Sequence, residues 1–440
     1  MLESYLVEQN LHWMGRHYPT GVRRELLDDV IKLLDMDHIL AISGVRRCGK
    51  SFLMKQIINR LLDQSVAPEN ILMVNFDFPA FAGRPAEEIL DTITREYRRI
   101  KQPQGKLYLF FDEIQTLPKW EIWLKYQYDL HKGSMKFFLT GSNSALLSSD
   151  YAARLTGRLI EKQLFPFSFA EFLVFHGIDP RSPEELILNA ETILNRFEHY
   201  LNYGAMPEVV EQAENRLKTD LLSTYFNTII YKDIAGRFGV RDTMLLKDVA
   251  LYLLGQFTNP INLKKLAEQF SISRDTGRDL IKFLEMSYFI FSLSKFSYSH
   301  RTQLLSQKKT FAVDNGFSAL LPVRFTPDRG RLLEQVVYLE LKRRHAQIFY
   351  YKNQRECDFL IYDYGREAAA FQVCHDLNEN NQQREIQGLA VGCRELKIEH
   401  GTILTWNQED ELERNGIHIS VIPVWKWLLT NRSETYQPTN

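Results

Sequence analysis

Between residues 20 and 165, short apolar runs alternate with segments whose apolar residues return every three or four positions. This is the pattern of parallel strands covered on both faces by amphipathic helices. The expected strands are HILAIS (38–43), ILMVNFDF (71–78), LYLFFD (107–112), MKFFLTGS (135–142) and RLIEKQLF (158–165). From Phe167 to about Lys232 the spacing turns helical, with Leu188, Ile193, Leu194, Phe197, Tyr200 and Leu201 at helical intervals, and a helical lid is expected there. Residues 242–300 carry two short helical patterns and then strand-like YFIFSLSKFSYS, the order of a winged helix. The remainder opens with TFAVD and continues with a helix over 330–344 and the strands IFYYK, CDFLIY, AAAFQVC, GTILTW and HISVIPV, a second, smaller α/β domain. The expected boundaries are 1–165, 166–240, 241–305 and 306–440. A chain of 440 residues is too long for one core at about 150 residues per domain.

Charge narrows the partners only a little. With 54 basic and 55 acidic residues the chain has no global field to draw it to nucleic acid or an anionic membrane, so any such binding must come from a local patch. The first twenty residues lack a continuous apolar segment and no run is long enough to span a bilayer, so a cytoplasmic protein without a membrane partner is expected. Cys48, Cys357, Cys374 and Cys393 lie far apart with no CxxC pair, against both a disulfide framework and a cysteine-rich zinc site.

The chemistry concentrates in GVRRCGKS, which follows the strand HILAIS and precedes the helix-like FLMKQIINRLL. In that context G-x-x-x-x-G-K-S is a phosphate-binding loop for ATP and Mg2+. Glycines let successive N–H groups turn toward one point, and the helix N-terminus adds partial positive charge beside it. Gly44, Val45, Arg46, Arg47, Cys48, Gly49, Lys50, Ser51 and Phe52 are the expected nucleotide contacts. Lys50 is expected to bridge the β- and γ-phosphates, and Ser51 to give a hydroxyl to magnesium. LYLFFDE ends a strand on two acids: Asp112 as the second magnesium ligand and Glu113 as the general base that polarises water. The glutamate favours an ATPase over a small-molecule kinase. LTGSN offers Thr140, Ser142 and Asn143 near the γ-phosphate, with Ser142 preferred. Arg154 and Arg158 follow, and Arg158 is the expected arginine finger. Cys48, beside Arg46, Arg47, Lys50 and a helix N-terminus, is expected to favour its thiolate.

These residues, with FFDEIQTLPKWE around Trp120, LTGSNSALLS, LTGRLIEKQLFPFSFAEF, the Gly204 turn in YLNYGAMPEVV, FAVDNGFSAL, RLLEQVVYLEL and ECDFLI, resemble a family across nearly the whole chain. It is that of bacterial and archaeal predicted ATPases of the extended AAA+ superfamily. The resemblance implies an α/β P-loop core with strand order 5-1-4-3-2, a helical lid, a winged helix and a C-terminal domain similar to the PD-(D/E)XK nuclease fold. An arginine finger often acts from a neighbouring subunit, so a nucleotide-dependent homo-oligomer is one expectation.

INLKKLAEQF and SRDTGRDLIKFLEMS have helix-turn-helix spacing, and the second helix offers Arg274, Arg278 and Lys282 to DNA. Asp275, Asp279 and Glu285 cancel that charge and favour a protein partner. In the C-terminal domain Glu334 and Asp358 match two positions of the nuclease pattern, while Gln372 stands for the second strand acid and Cys374 for the lysine. A thiol cannot replace an ammonium's three donors, so cleavage would need a substitute such as Lys352. The expected function is a nucleotide-dependent switch or remodeller of a partner. The alternatives are a nucleic-acid-binding regulator whose winged helix is ordered by ATP and a cryptic ATP-dependent nuclease.

Overall fold

The computed structural model describes residues 2–81, 83–142, 154–321, 328–345, 347–363, 367–414 and 416–429. They form two compact units, Met1–Phe165 with Met286–Tyr288, and Pro166–Glu285 with Phe289–Asn440.

The first unit is a five-stranded sheet of β1 (Ile39–Ser43), β2 (Ile71–Asn75), β3 (Leu107–Asp112), β4 (Met135–Gly141) and β5 (Leu159–Gln163). The order is β2-β3-β4-β1-β5, all neighbours parallel, as expected. β1 and β4 are buried at every position, which is why they read as continuous apolar runs instead of alternating ones. Helices α1 (Leu2–Gln9), α2 (Leu26–Ile31), α3 (Lys50–Asp63), α4 (Ala86–Lys101) and α5 (Trp120–Leu130) belong to the same unit. One core cluster joins Phe111, Trp120, Trp123, Phe137 and Leu139 with Ile89, Leu90 and Tyr97 from α4.

The outer edge of β2 is closed by side chains from the N-terminal segment. Asn10 Nδ2 donates to the Met73 carbonyl at 2.9 Å while Asn10 Oδ1 accepts from Met73 N–H at 2.7 Å. Gln9 Oε1 accepts from Asn75 N–H at 3.1 Å, the Tyr5 hydroxyl donates to the Asn75 carbonyl, and Trp13 Nε1 donates to Ile71 O at 2.9 Å. A carboxamide presents an N–H and a carbonyl oxygen side by side, so Asn10 pairs with the strand as another backbone would, its second N–H going to the Leu6 carbonyl at 2.7 Å.

The second unit holds helices from Phe169 onward and an eight-stranded mixed sheet. Its strands are β6 (Ile290–Lys295), β7 (Lys309–Ala312), β8 (Ile348–Lys352), β9 (Glu356–Asp363), β10 (Glu367–Val373), β11 (His400–Thr405), β12 (Asp410–Arg414) and β13 (Ile417–Pro423). They run in the order β12-β13-β11-β10-β9-β8-β6-β7. The expected helices appear at Leu263–Gln269 and Arg274–Met286. The strand that follows them, however, does not stand alone as a wing. β6 pairs antiparallel with β7 and parallel with β8, so the expected boundary at 305/306 falls inside one sheet. Two motif stretches meet here: Asp314 accepts from Ala205 N–H at 2.7 Å and from Gly316 N–H at 2.8 Å. Gly204 has φ +72°, and a Cβ there would lie 1.6 Å from Asp314 Oδ1, so the turn tolerates no side chain.

Candidate functional site

In the first unit, β1 ends at Ser43 and the chain turns through Gly44–Gly49 into α3. Gly44 has φ +150° and Gly49 φ +103°. A Cβ on Gly44 would sit 2.2 Å from the Leu164 carbonyl, so the loop closes against the chain after β5 only because this position lacks a side chain. Arg24, which sequence reasoning missed, braces the loop from below. Its buried guanidinium donates to Cys48 O and Phe165 O, both at 2.7 Å, and its backbone N–H reaches Gln56 Oε1 at 3.0 Å. Lys50 is buried and donates to the carbonyls of Gly44 and Val45 at 3.0 Å each.

β3 lies two strands from β1 and delivers Asp112 and Glu113 to the same place. The Ser51 hydroxyl donates to Asp112 Oδ2 at 2.7 Å, and the Asn75 carboxamide donates to the same oxygen at 2.9 Å. Thr140 at the end of β4 donates to Asp112 Oδ1 at 2.5 Å and accepts the Glu113 N–H at 2.9 Å. Burial first and the neighbouring Glu113 second push the Asp112 carboxyl up, while Thr140, Ser51 and Lys50 oppose the shift. A divalent cation at this point would restore the charged form, and a hydroxyl beside a carboxylate is the donor set magnesium takes. Glu113 Oε1 lies 3.9 Å from Lys50 Nζ. Its backbone is left-handed, φ 56° and ψ 39°, a strain of about 1–3 kcal/mol for a residue with a Cβ. Glu113 also receives the Gln115 carboxamide, which lies 3.4 Å from the Ser142 hydroxyl.

The structure therefore brings together Gly44, Val45, Cys48, Gly49, Lys50, Ser51, Asp112, Glu113 and Ser142. Arg46 and Arg47 belong to the same loop, Arg47 with φ 70°. Phe52 points outward, half exposed, with Lys55 Nζ 5.1 Å from its ring. Asn143 lies outside the described residues. One expectation is corrected and another is narrowed. The Cys48 thiol is wholly buried, and burial pushes it up despite Lys50 and Arg24, so the loop does not hold a reactive thiolate. Arg158 does not reach the phosphate loop of its own chain. Its backbone carbonyl pairs with Ile39 N–H at 2.8 Å, at the start of β1, whereas the loop follows the end of that strand, roughly 13 Å away at about 3.3 Å per residue. Its guanidinium is held by Asp129 at 2.8 and 3.1 Å, and Arg154 is held by Glu121 at 2.8 Å.

In the second unit Glu334 and Asp358 do converge, but on a lysine that the sequence reading did not single out. Lys309 Nζ, 2% exposed, lies 2.9 Å from Glu334, 2.8 Å from Glu356 and 3.6 Å from Asp358. Burial works against its charge, yet Glu334, Asp358 and Glu356 outweigh it and hold the ammonium up. Burial pushes Asp358 and Glu334 up as well. Gln372 Nε2 donates to Glu385 at 2.9 Å, and Cys374 faces the apolar core with its thiol pushed up to about 12 by burial. Lys352, expected as the substitute, is half exposed and paired with Glu356 at 2.8 Å. Among the described residues no group of three or more His, Cys, Asp or Glu is placed to hold a metal ion. On the helix Arg274–Met286, Arg274, Arg278 and Lys282 are exposed, and Arg278 pairs with Asp275 at 2.6 Å. Among the described residues no helix is long and apolar enough to cross a membrane.

Residues 36–173 match a family model described as an AAA domain, and residues 194–327 and 329–427 match two models described as domains of unknown function. An uncharacterized protein of Methanocaldococcus jannaschii is 32% identical over 419 residues, covering 92% of this chain and 90% of its own. One from Haemophilus influenzae is 31% identical over 418 residues, covering 92% and 98%. Among solved structures, the Aeropyrum pernix ORC1 protein in complex with DNA has a TM-score of 0.34 at 12% identity, covering 69% of this chain and 92% of that one. The Saccharomyces cerevisiae Hsp104–ADP complex has a TM-score of 0.34 at 15% identity, covering 65% and 42%.

Proposed function

The chain belongs to the family of the Methanocaldococcus jannaschii and Haemophilus influenzae proteins, and on that premise we propose that it is an Mg·ATP-hydrolysing AAA-type switch acting on a partner macromolecule. One observation carries the reading: the Ser51 hydroxyl sits on Asp112 at 2.7 Å while Lys50 and Glu113 face each other at 3.9 Å beside the same loop. The main-chain amides of Gly44–Ser51 and the Lys50 ammonium bind the β- and γ-phosphates. Ser51 and Asp112 hold magnesium, which when bound spreads the charge developing on the phosphate oxygens. Glu113 accepts a proton from the water whose oxygen bonds to the γ-phosphorus, as the bond from that phosphorus to the ADP oxygen breaks. Thr140 fixes Asp112 and Glu113 relative to one another, so both acids move with the end of β4.

Arg158 enters this reading only from a neighbouring subunit, since its own loop is at the other end of β1. Mixing Lys50→Ala and Arg158→Ala chains tests that role: recovered turnover in the mixture supports it, and two inactive chains that stay inactive together reject it. For the core reading, Lys50→Ala should abolish Mg·ATP binding in calorimetry, and Glu113→Gln should bind but not turn over. Normal turnover in both variants would reject it.

The three basic side chains exposed on the helix Arg274–Met286 favour a second reading, in which the partner is nucleic acid. Salt-dependent DNA binding lost on replacing Arg274 and Arg278 with alanine would support it. The C-terminal sheet is read as a scaffold that holds the partner without cleaving it, because the buried Lys309 ammonium beside Glu334 is already engaged by carboxylates.

A further inference from the structure

Gln115 lies in the short 3-10 turn Ile114–Thr116 that follows Glu113. Its Nε2 donates to Glu113 Oε2 and lies 3.4 Å from Ser142 Oγ at the end of β4. The orientation of the carboxamide is dictated by its neighbour: turned over, its carbonyl oxygen would face a carboxylate oxygen and neither could donate. Its Oε1 is buried and has no hydrogen-bond partner among the described residues. A side chain serving the fold alone is rarely left half satisfied in a buried place, whereas functional sites tolerate that cost. The other Glu113 oxygen faces Lys50, so the carboxylate is gripped from two sides, on a backbone whose left-handed conformation already restricts where it can aim.

We propose that Gln115 is a positioning residue for hydrolysis, fixing the Glu113 carboxylate in register with Ser142 so that it faces the water it deprotonates. The proposal rests on the reading of Glu113 as general base. Gln115→Ala in the full chain should lower kcat about 10- to 100-fold, since small misplacements of a base are costly, with Kd for a fluorescent ATP analogue changed by no more than about twofold. Gln115→Glu, which removes the donor and places a second negative charge beside Glu113, should lower kcat at least as far as Gln115→Ala. Gln115→Met, of similar length and without donors, should repeat the kcat loss if the alanine variant folds poorly.

Glu113→Gln is measured in parallel. If it stops turnover while Gln115→Ala and Gln115→Met keep kcat within about twofold of the parent, the positioning role is overturned and the base remains. If Glu113→Gln turns over normally, the reading of the base falls, and this proposal with it.

Discussion

Each unit of the chain sets a buried lysine among carboxylates, and the two lysines are left in opposite conditions. Lys50 touches two main-chain carbonyls at 3.0 Å and stands 3.9 Å from Glu113, so much of its charge is unspent. Lys309 has carboxylates at 2.8 and 2.9 Å and a third at 3.6 Å, and is saturated. The first arrangement can exchange weak contacts for phosphate oxygens. The second would have to give up strong ion pairs in a buried setting to meet any ligand. A lysine near acids therefore indicates chemistry only when its partners are loose and the backbone around it is shaped for something else, as the glycine turn is at Gly44.

Replacing each lysine by alanine should split these roles most widely. Lys50→Ala is expected to lose turnover entirely while its urea midpoint changes little. Lys309→Ala should cost about 3–5 kcal/mol of unfolding free energy, because Glu334 and Asp358 stay largely buried without their counter-ion while Glu356 keeps Lys352. That cost should shrink as pH falls from 7 to 5. Glu334 and Asp358 are already pushed up by burial, so they take up protons and lose their charge in the variant. A Lys309→Ala protein as stable as its parent at pH 7 would break the comparison.

Asp314 supplies an intermediate case, a buried carboxylate held by two main-chain N–H groups and no lysine. Burial pushes it up to about 6 against backbone bonds from Ala205 and Gly316 that pull the other way. The folded state thus holds this proton more tightly than the unfolded chain, and the sign is opposite to that of a salt-bridged acid. Its contribution is full below about pH 4 and is lost as pH rises to about 6, on the order of 3 kcal/mol. Urea unfolding of Asp314→Asn against the parent at both pH values isolates that slope, and parallel curves would contradict it. The smallest effect is expected at Cys48: buried and held as a thiol, it should react with an alkylating reagent far more slowly than after unfolding, read by mass spectrometry. Rapid labelling of the native chain would mean that the phosphate loop opens.

How much of this could be read from residues alone follows from how local each feature is. The parallel strands β1 to β4 and the Gly44–Ser51 turn announce themselves because those four strands are largely apolar runs and the loop is contiguous. Asp112 and Glu113 are legible because they end a strand next to that turn. Gln115, two residues further on, carried a weak signal, since only the turn of the chain brings it back to Glu113. The Lys309 cluster was not legible in the same way: Lys309 on β7, Glu334 on the helix Arg329–Arg344 and Glu356 and Asp358 on β9 are far apart in sequence and meet only through tertiary packing. The charge pattern around Cys48 pointed to a thiolate, but burial is a three-dimensional quantity and it dominates there. β12, DELER in sequence, was missed because this edge strand is exposed at four of its five positions and shows no apolar alternation.

The seam along β2 has its own consequence. With Tyr5, Gln9, Asn10 and Trp13 occupying the main-chain groups of Ile71, Met73 and Asn75, that border cannot recruit a foreign β-segment or stack into fibrils, so associations on that flank must be made by side chains. A version trimmed past Trp13 would expose a bare template and be prone to self-aggregation.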